Sequence, residues 1–169
     1  MTTTVPEREP LGASTLNRKW YLDIDTSATP GTPTWVGVFG ITEFKPIQSP
    51  SLEDDSDFDG GGWKSSTVTA QEWGAEVKVS RKVTAASATA YDPGQEALRL
   101  AALEMGVGNS VHIRYYEMTP DGPRVEAYEG QAAVSWEPDG GGMDALDTVS
   151  VKLTGQGKRT AITHPDTTV

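Results

Sequence analysis

Apolar residues recur at every second position in several short stretches of this chain, and that period restricts the fold more than any other feature. In Trp20-Tyr-Leu-Asp-Ile-Asp25, Trp20, Leu22 and Ile24 alternate with Tyr21, Asp23 and Asp25. Trp73, Ala75, Val77 and Val79 share one side of a run from Trp73 to Val83, and Val111, Ile113 and Tyr115 alternate again, as do Val149, Val151 and Leu153. Successive side chains of an extended chain point to opposite faces, so a two-residue period places one face on a core and the other in water. That pattern predicts antiparallel sheet. Shorter β-type runs are expected at Trp35–Val38, Thr42–Ile47, Ser66–Glu72 and Arg124–Trp136. Turn-forming clusters separate them, at Thr29-Pro-Gly-Thr-Pro33, Pro120-Asp-Gly-Pro123 and Gly140-Gly-Gly142.

A single segment departs from this period. Asp92 can cap a helix, Pro93 suits its first position, and Gln95 sits third, as in a capping box. Leu98, Ala101, Ala102 and Met105 then fall on one stripe and Gly106 follows as a stop, which predicts one helix over Pro93–Met105 lying across a sheet face. The expected fold is mainly β, an antiparallel β-sandwich or rolled sheet with one flanking α-helix. Residues 1–16 read as a polar N-terminal arm, 17–157 as the β domain and 158–169 as a C-terminal tail.

The 169 residues suffice for one domain with a real core. A net charge of -10 opposes tight binding to phosphate backbones, which proteins meet with clustered Lys and Arg. With no cysteine, disulfides, thiol nucleophiles and Cys-based metal sites drop out. The first residues lack the basic and apolar regions of a secretory signal, and no stretch approaches the ~18 apolar residues of a membrane span. No membrane association is expected.

Asp55-Ser-Asp57-Phe-Asp59-Gly60 matches the opening of a helix-loop-helix calcium loop. The match then fails, because Ser66 stands where the bidentate Glu is needed and neither flank has a helical period. A solvated acidic loop, re-entering through Gly60–Gly62 at Trp63, explains the residues better. His112 and His164 are too far apart in sequence for a zinc pair, no G-x-S-x-G elbow is present, and Gly140–Gly142 lacks the Lys and helix of a phosphate loop. Glu126 and Glu129 fall on opposite faces of a strand. No catalytic residue, cofactor or metal is predicted.

The order of these features resembles the major tail tube proteins of long-tailed bacteriophages. It runs through Trp35-Val-Gly-Val-Phe-Gly-Ile-Thr-Glu-Phe-Lys-Pro46, the acidic loop leading to Gly62-Trp63, and Trp73–Lys82. It continues through the helix opening at Ala90-Tyr-Asp-Pro-Gly-Gln-Glu96, then Tyr128-Glu-Gly130 with Ala133–Pro138, and closes on Val149–Gly157. The resemblance implies a non-enzymatic virion protein whose sheets join between subunits into a ring-shaped β-barrel, in hexameric rings that stack into a tube. It implies the tape measure, tail terminator and distal tail proteins as partners, and genomic DNA passing through the lumen without specific binding. It also implies a place in the virion tail, with assembly in the host cytoplasm. The long acidic loop, with Asp54, Asp55, Asp57, Phe58, Asp59 and Trp63, is then the expected contact between rings. Pore-facing residues are expected on Trp73–Val83 and Arg124–Trp136. The competing expectation is a monomeric β-sandwich binding or virion decoration module that uses Trp20, Trp35, Trp63 and Trp73 as platforms.

Overall fold

A computed structural model describes Pro6, residues 9–119 and residues 122–165. Parts of the expected arm (residues 1–5, 7 and 8), part of the Pro120–Pro123 turn (120 and 121) and the end of the expected tail (166–169) lie outside the described residues. Among the described residues the chain forms β1 (Trp20–Asp25), β2 (Trp35–Gly37), β3 (Ile41–Asp54), β4 (Ser66–Ser80), β5 (Val83–Thr84), β6 (Ser87–Tyr91), α1 (Pro93–Ala102), β7 (Ser110–Glu117), β8 (Ala127–Pro138) and β9 (Thr148–Ala161). Seven strands make one antiparallel sheet in the order β2-β1-β7-β8-β9-β4-β3, and β5 and β6 form a small separate hairpin.

The alternation in sequence is the alternation in burial. Leu22 and Ile24 of β1, Ala75, Val77 and Val79 of β4, Ile113 and Tyr115 of β7, and Val149, Val151 and Leu153 of β9 are all buried in one core. The sheet rolls so that its β3 edge crosses the start of β1. Trp20 stacks on Phe44 with ring centroids 5.6 Å apart, and Asn17 donates from Nδ2 to the Phe44 carbonyl at 2.9 Å. Trp73 fills the space between the layers and donates from Nε1 to the Gly157 carbonyl at 2.7 Å. Its indole lies so close to Gly155 that a Cβ there would sit 2.3 Å from Cε2, so only glycine fits.

The helix begins as expected and ends early. Asp92 Oδ2 accepts from the Gln95 amide at 3.0 Å, and Pro93 occupies the first turn. The Gln95 side chain does not complete a capping box. It is fully buried and donates to the carbonyls of Phe39 (2.7 Å) and Ser80 (3.1 Å), tying α1 to the sheet. α1 stops at Ala102, and Met105 is 92% exposed, so the expected stripe ends with Ala101 and Ala102, which pack on the core. Met105 instead precedes a short 3-10 turn, Gly106–Asn109, that carries the chain into β7.

Three further expectations change. Asp23 does not face water, because it is 8% exposed and accepts from Arg114 Nε at 2.8 Å and the Tyr116 hydroxyl at 3.1 Å. The chain past Gly157 stays on the body: β9 runs to Ala161, and the Ile162 amide donates to the Ala127 carbonyl at 3.0 Å. His164 packs edge-on against Tyr116 and donates from Nε2 to the Glu117 carbonyl. The third change is in length, since Ser66–Glu72 and Trp73–Ser80 are one strand and β3 continues well past Ile47.

Candidate assembly surfaces

The first surface is the solvated face of β3, β4, β9 and β8. Register places Glu76 between Lys45 and Lys152, and Lys78 between Glu43 and Ser150, with Ser135 and Glu137 continuing the rows onto β8. Opposite charges across a strand pair stabilise the ladder and mask one another. Lys45 Nζ lies 3.2 Å from Glu76 Oε2, and Lys78 Nζ lies 3.2 Å from Asp139 Oδ2. Asp139 also accepts from the hydroxyls of Thr148 (2.6 Å) and Ser150 (2.7 Å), and these bonds, with Lys78, hold its carboxyl below the usual range. The face is open and polar, with Lys45 and Lys78 in ion pairs and Glu43, Glu137 and Lys152 outside them.

The second surface is the far part of the β3–β4 hairpin. From Ser49↔Glu72 to Asp54↔Ser66 the two strands remain paired, and every residue in both segments is exposed. Among the described residues, neither β9 nor any other strand continues alongside. A register shift between Ser51 and Leu52 inserts one extra residue into β4, which sets Val68 across from Leu52 on the face that carries Phe44 further up the strand. Both are exposed apolar side chains.

The acidic loop closes this ribbon, and it has no helix on either side. Asp57 caps a 3-10 turn, Phe58–Gly60, by accepting from the Asp59 amide at 3.1 Å, and Gly61 follows in the left-handed region at φ 62°. Asp54 accepts from the Ser56 amide at 2.9 Å, and Asp55 accepts from the Thr67 hydroxyl. Bonds from Ser56 to Asp54, and from Thr67 and Ser65 to Asp55, lower both carboxyl pKa values. The carboxylates are thus turned to their own loop rather than converged on a cation position, and no metal-holding group of His, Cys, Asp or Glu occurs among the described residues. Phe58 and Trp63 point into solvent, Trp63 at 85% exposure. The six residues singled out in the loop therefore sit together at one projecting tip.

The sheet edges are the third surface. β2 is three residues long, and β3 carries Pro46 and Pro50. Both devices interrupt indiscriminate strand addition, because proline donates no ladder hydrogen bond.

The tryptophans do not form a platform. Trp20 and Trp73 are in the core, and Trp35 lies under the Arg114 guanidinium at 4.5 Å and against His112 at 4.9 Å. Only Trp63 of the four is exposed, and it stands at the ribbon tip. His112 lies 3.5 Å from Asp25, on the rim of the sheet and far in sequence from His164.

No protein-family model matches the chain, and no curated protein matches it by sequence. Solved structures do match. The SPP1 tail tube superposes with a TM-score of 0.64 at 14% identity, over 90% of this chain and 81% of that one. The tail of an empty gene transfer agent particle, computed with C6 symmetry, superposes at 0.63 and 10% identity, over 89% of this chain and all (100%) of the other. The chain has a tail-tube fold. The six-fold symmetrised baseplate of the anti-feeding prophage matches at 0.59 and 8% identity, over 92% of this chain and 99% of that one. Two site features lacked a signal in the sequence. The ribbon has no apolar alternation to mark it, and the charge pairing across the solvated face depends on which strands become neighbours.

Proposed function

We propose that this chain is the structural subunit of a viral tail tube. The observation that carries the reading is a tail-tube fold whose sheet has one buried face and one broad, open, charge-paired face. In hexameric rings the sheets join edge to edge into a barrel, with the domain from residue 17 through the end of β9 as the ring-forming body and residues 1–16 reaching toward neighbouring copies. Closure of the barrel removes the sheet edges that a single copy leaves open.

The β3–β4–β9–β8 face then lines the lumen. Lys45 and Lys78 are already paired with carboxylates, so with Lys152 alone outside an ion pair the face presents no cationic ladder to phosphates, and the chain's net charge of -10 adds a repulsive background, so duplex DNA slides rather than binds. The tip residues Asp54, Asp55, Asp57, Phe58, Asp59 and Trp63 form the contact between rings. The tape measure protein occupies the lumen before ejection, the tail terminator and distal tail proteins close the two ends, and assembly takes place in the host cytoplasm before the tube joins the virion.

Electron microscopy of the purified chain at rising concentration, with sedimentation in parallel, tests this. Hollow tubes or stacked rings are the expected result. A chain that stays monomeric at every concentration, and also with tape measure and tail-tip proteins added, overturns it.

A further inference from the structure

Where the β3–β4 ribbon leaves the body, a single chain of side-chain bonds crosses the boundary. Among the described residues, the side-chain hydrogen bonds and ion pairs of residues 49–72 close within the ribbon and its loop, with one exception. Gln48 Nε2 donates to Gln71 Oε1 at 3.4 Å. Gln48 Oε1 in turn accepts from Arg159 Nη2, and Arg159 Nη1 donates to the hydroxyl of Tyr115, which is fully buried in the core. The guanidinium also lies over the Tyr128 ring at 4.1 Å. Its planar fork therefore holds the base of the ribbon in one geometry against two aromatic rings of β7 and β8.

Arg159 reaches this place through an irregularity in β9. Gln131 pairs with Gln156 and Glu129 with Thr160, so Gly157, Lys158 and Arg159 stand opposite Gly130 alone. Gly157 lies in the left-handed region at φ 75°, and its carbonyl is the one that accepts from the Trp73 indole. Packing does not hold Arg159 and Gln48 together. The pair borders two cavities, one of about 400 Å³ that reaches Trp73 and Gln71, and one of about 200 Å³ that reaches Trp20 and Tyr128. Glu72 and Glu126 line these cavities, yet among the described residues no carboxylate lies within ion-pair distance of Arg159. A half-buried cation with only neutral acceptors gains little stability, and an apolar side chain of similar length would serve the core as well. What the guanidinium adds is direction.

We infer that Arg159 is a positioning residue: it aims the β3–β4 ribbon by tying Gln48 and Gln71, at the ribbon's base, to Tyr115 in the core. A two-stranded ribbon with neither a third strand nor a packed face would otherwise tilt freely about Gln48 and Trp73. The latch acts within the single chain, whether or not copies assemble. In the proposed tube, a ribbon already aimed meets its partner without the cost of being ordered first.

The absence of cysteine allows the ribbon's angle to be read directly. Leu52→Cys on the ribbon and Lys152→Cys on the body, both exposed, carry nitroxide labels in the full chain, kept dilute enough to be monomeric. Val68 stands opposite Leu52 and Glu76 opposite Lys152, which separates the labels by about 26 Å along β4. Pulsed electron paramagnetic resonance gives the distribution of that distance. Arg159→Met and Gln48→Leu should each about double its width, while the urea midpoint and the amide exchange of Trp73–Ser80 stay close to those of the labelled parent. An unchanged width in either variant overturns the inference. A width that grows only together with faster exchange of Trp73–Ser80 also overturns it, because Arg159 then supports the core and not the ribbon's direction. Both results leave the tail-tube reading in place, since that reading fails only on a chain that never assembles.

Discussion

The two halves of the β3–β4 hairpin share the same strands and a continuous hydrogen-bond ladder, yet one is core and the other is bare. From Ile41↔Val79 to Gln48↔Trp73 the strands bury Phe44, Trp73, Ala75, Val77 and Val79, and β9 pairs along the far side of β4 from Ser80 down to Gly74. From Ser49↔Glu72 onward the same ladder carries mostly polar residues with only Leu52 and Val68 as large apolar ones, and nothing among the described residues covers it. Backbone pairing satisfies N–H and C=O groups in both halves, so it does not distinguish them. Burial does: the first half is stabilised inside one copy, and the second half has no buried apolar contact of its own among the described residues. The difference separates residues that hold the subunit together from residues left free for the contacts the proposed tube would need.

Two tryptophans on this hairpin give the sharpest test. Trp73→Ala removes a side chain that is 7% exposed, its bond to Gly157 and its packing near Tyr115, and should cost about 3–5 kcal/mol in denaturant unfolding of the single chain. Trp63→Ala, at the tip, should change that stability by no more than about 0.5 kcal/mol. Equal effects would erase the distinction between the halves.

Gly155→Val probes how tightly the covered half is packed. The new Cβ would meet the Trp73 ring at 2.3 Å, and overpacking of this kind costs about 1–3 kcal/mol, read as a lower urea midpoint with unchanged slope. An unchanged midpoint would mean that Trp73 has room to move, and the covered half would lose its claim to be rigid.

Glu117, at the end of β7, sharpens the contrast through pH. Burial alone would raise its pKa, but the Lys19 ammonium and the amides of Val125 and Glu126 (3.1 and 3.2 Å) outweigh that and hold it below the ordinary glutamate value of 4.5. A folded-state pKa below the unfolded one adds stability above pH 4.5, and that stability is lost as pH falls through the lower, folded value. Glu117→Gln should cost about 1–3 kcal/mol at neutral pH, with the gap to the parent chain closing in acid. A gap that stays constant with pH would refute the sign. The exposed carboxylates of Asp54 and Asp55, held in local turns at the tip, should not contribute comparably to the acid dependence of unfolding.

The smallest expected effect falls on the bare half. Leu52→Ser and Val68→Ser should each alter single-chain stability by no more than about 0.5 kcal/mol. Amide hydrogen exchange should be fast from Ser49 to Glu72 in the single chain, slow from Trp73 to Ser80, and slow in both segments after assembly. Protection of Ser49–Glu72 in the single chain would show that the ribbon needs no partner.

Much of the body was legible because its chemistry is local and periodic. The alternation in β1, β4, β7 and β9 predicts which side chains enter the core, and Asp92-Pro93 marks the helix start within one turn of chain. A helix end is less local. With Met105 and Gly106 in a plausible stripe and stop, only the 3-10 turn into β7 showed that α1 finishes at Ala102. The acidic loop was placed as a loop from its glycines and aspartates, and Ser66–Glu72 as a polar β-run, but nothing in residues 48–54 says that β3 continues past Ile47 to pair with it, since a polar segment without a core on either side has no period to read.

The sequence by itself determined a mainly β domain with one helix and the residues of its core, because a two-residue apolar period leaves an extended chain few ways to hide its apolar face. The tertiary structure alone decided that the sheet rolls, that Asp23 turns inward to Arg114 and Tyr116, that β9 continues past Gly157 to Ala161, and that Lys45, Glu76 and Lys152 become neighbours. The physical reason is distance along the chain. Phe44 meets Trp20, and Arg114 meets Asp23, only after strands far apart in sequence have paired, and no local pattern records which strands those will be.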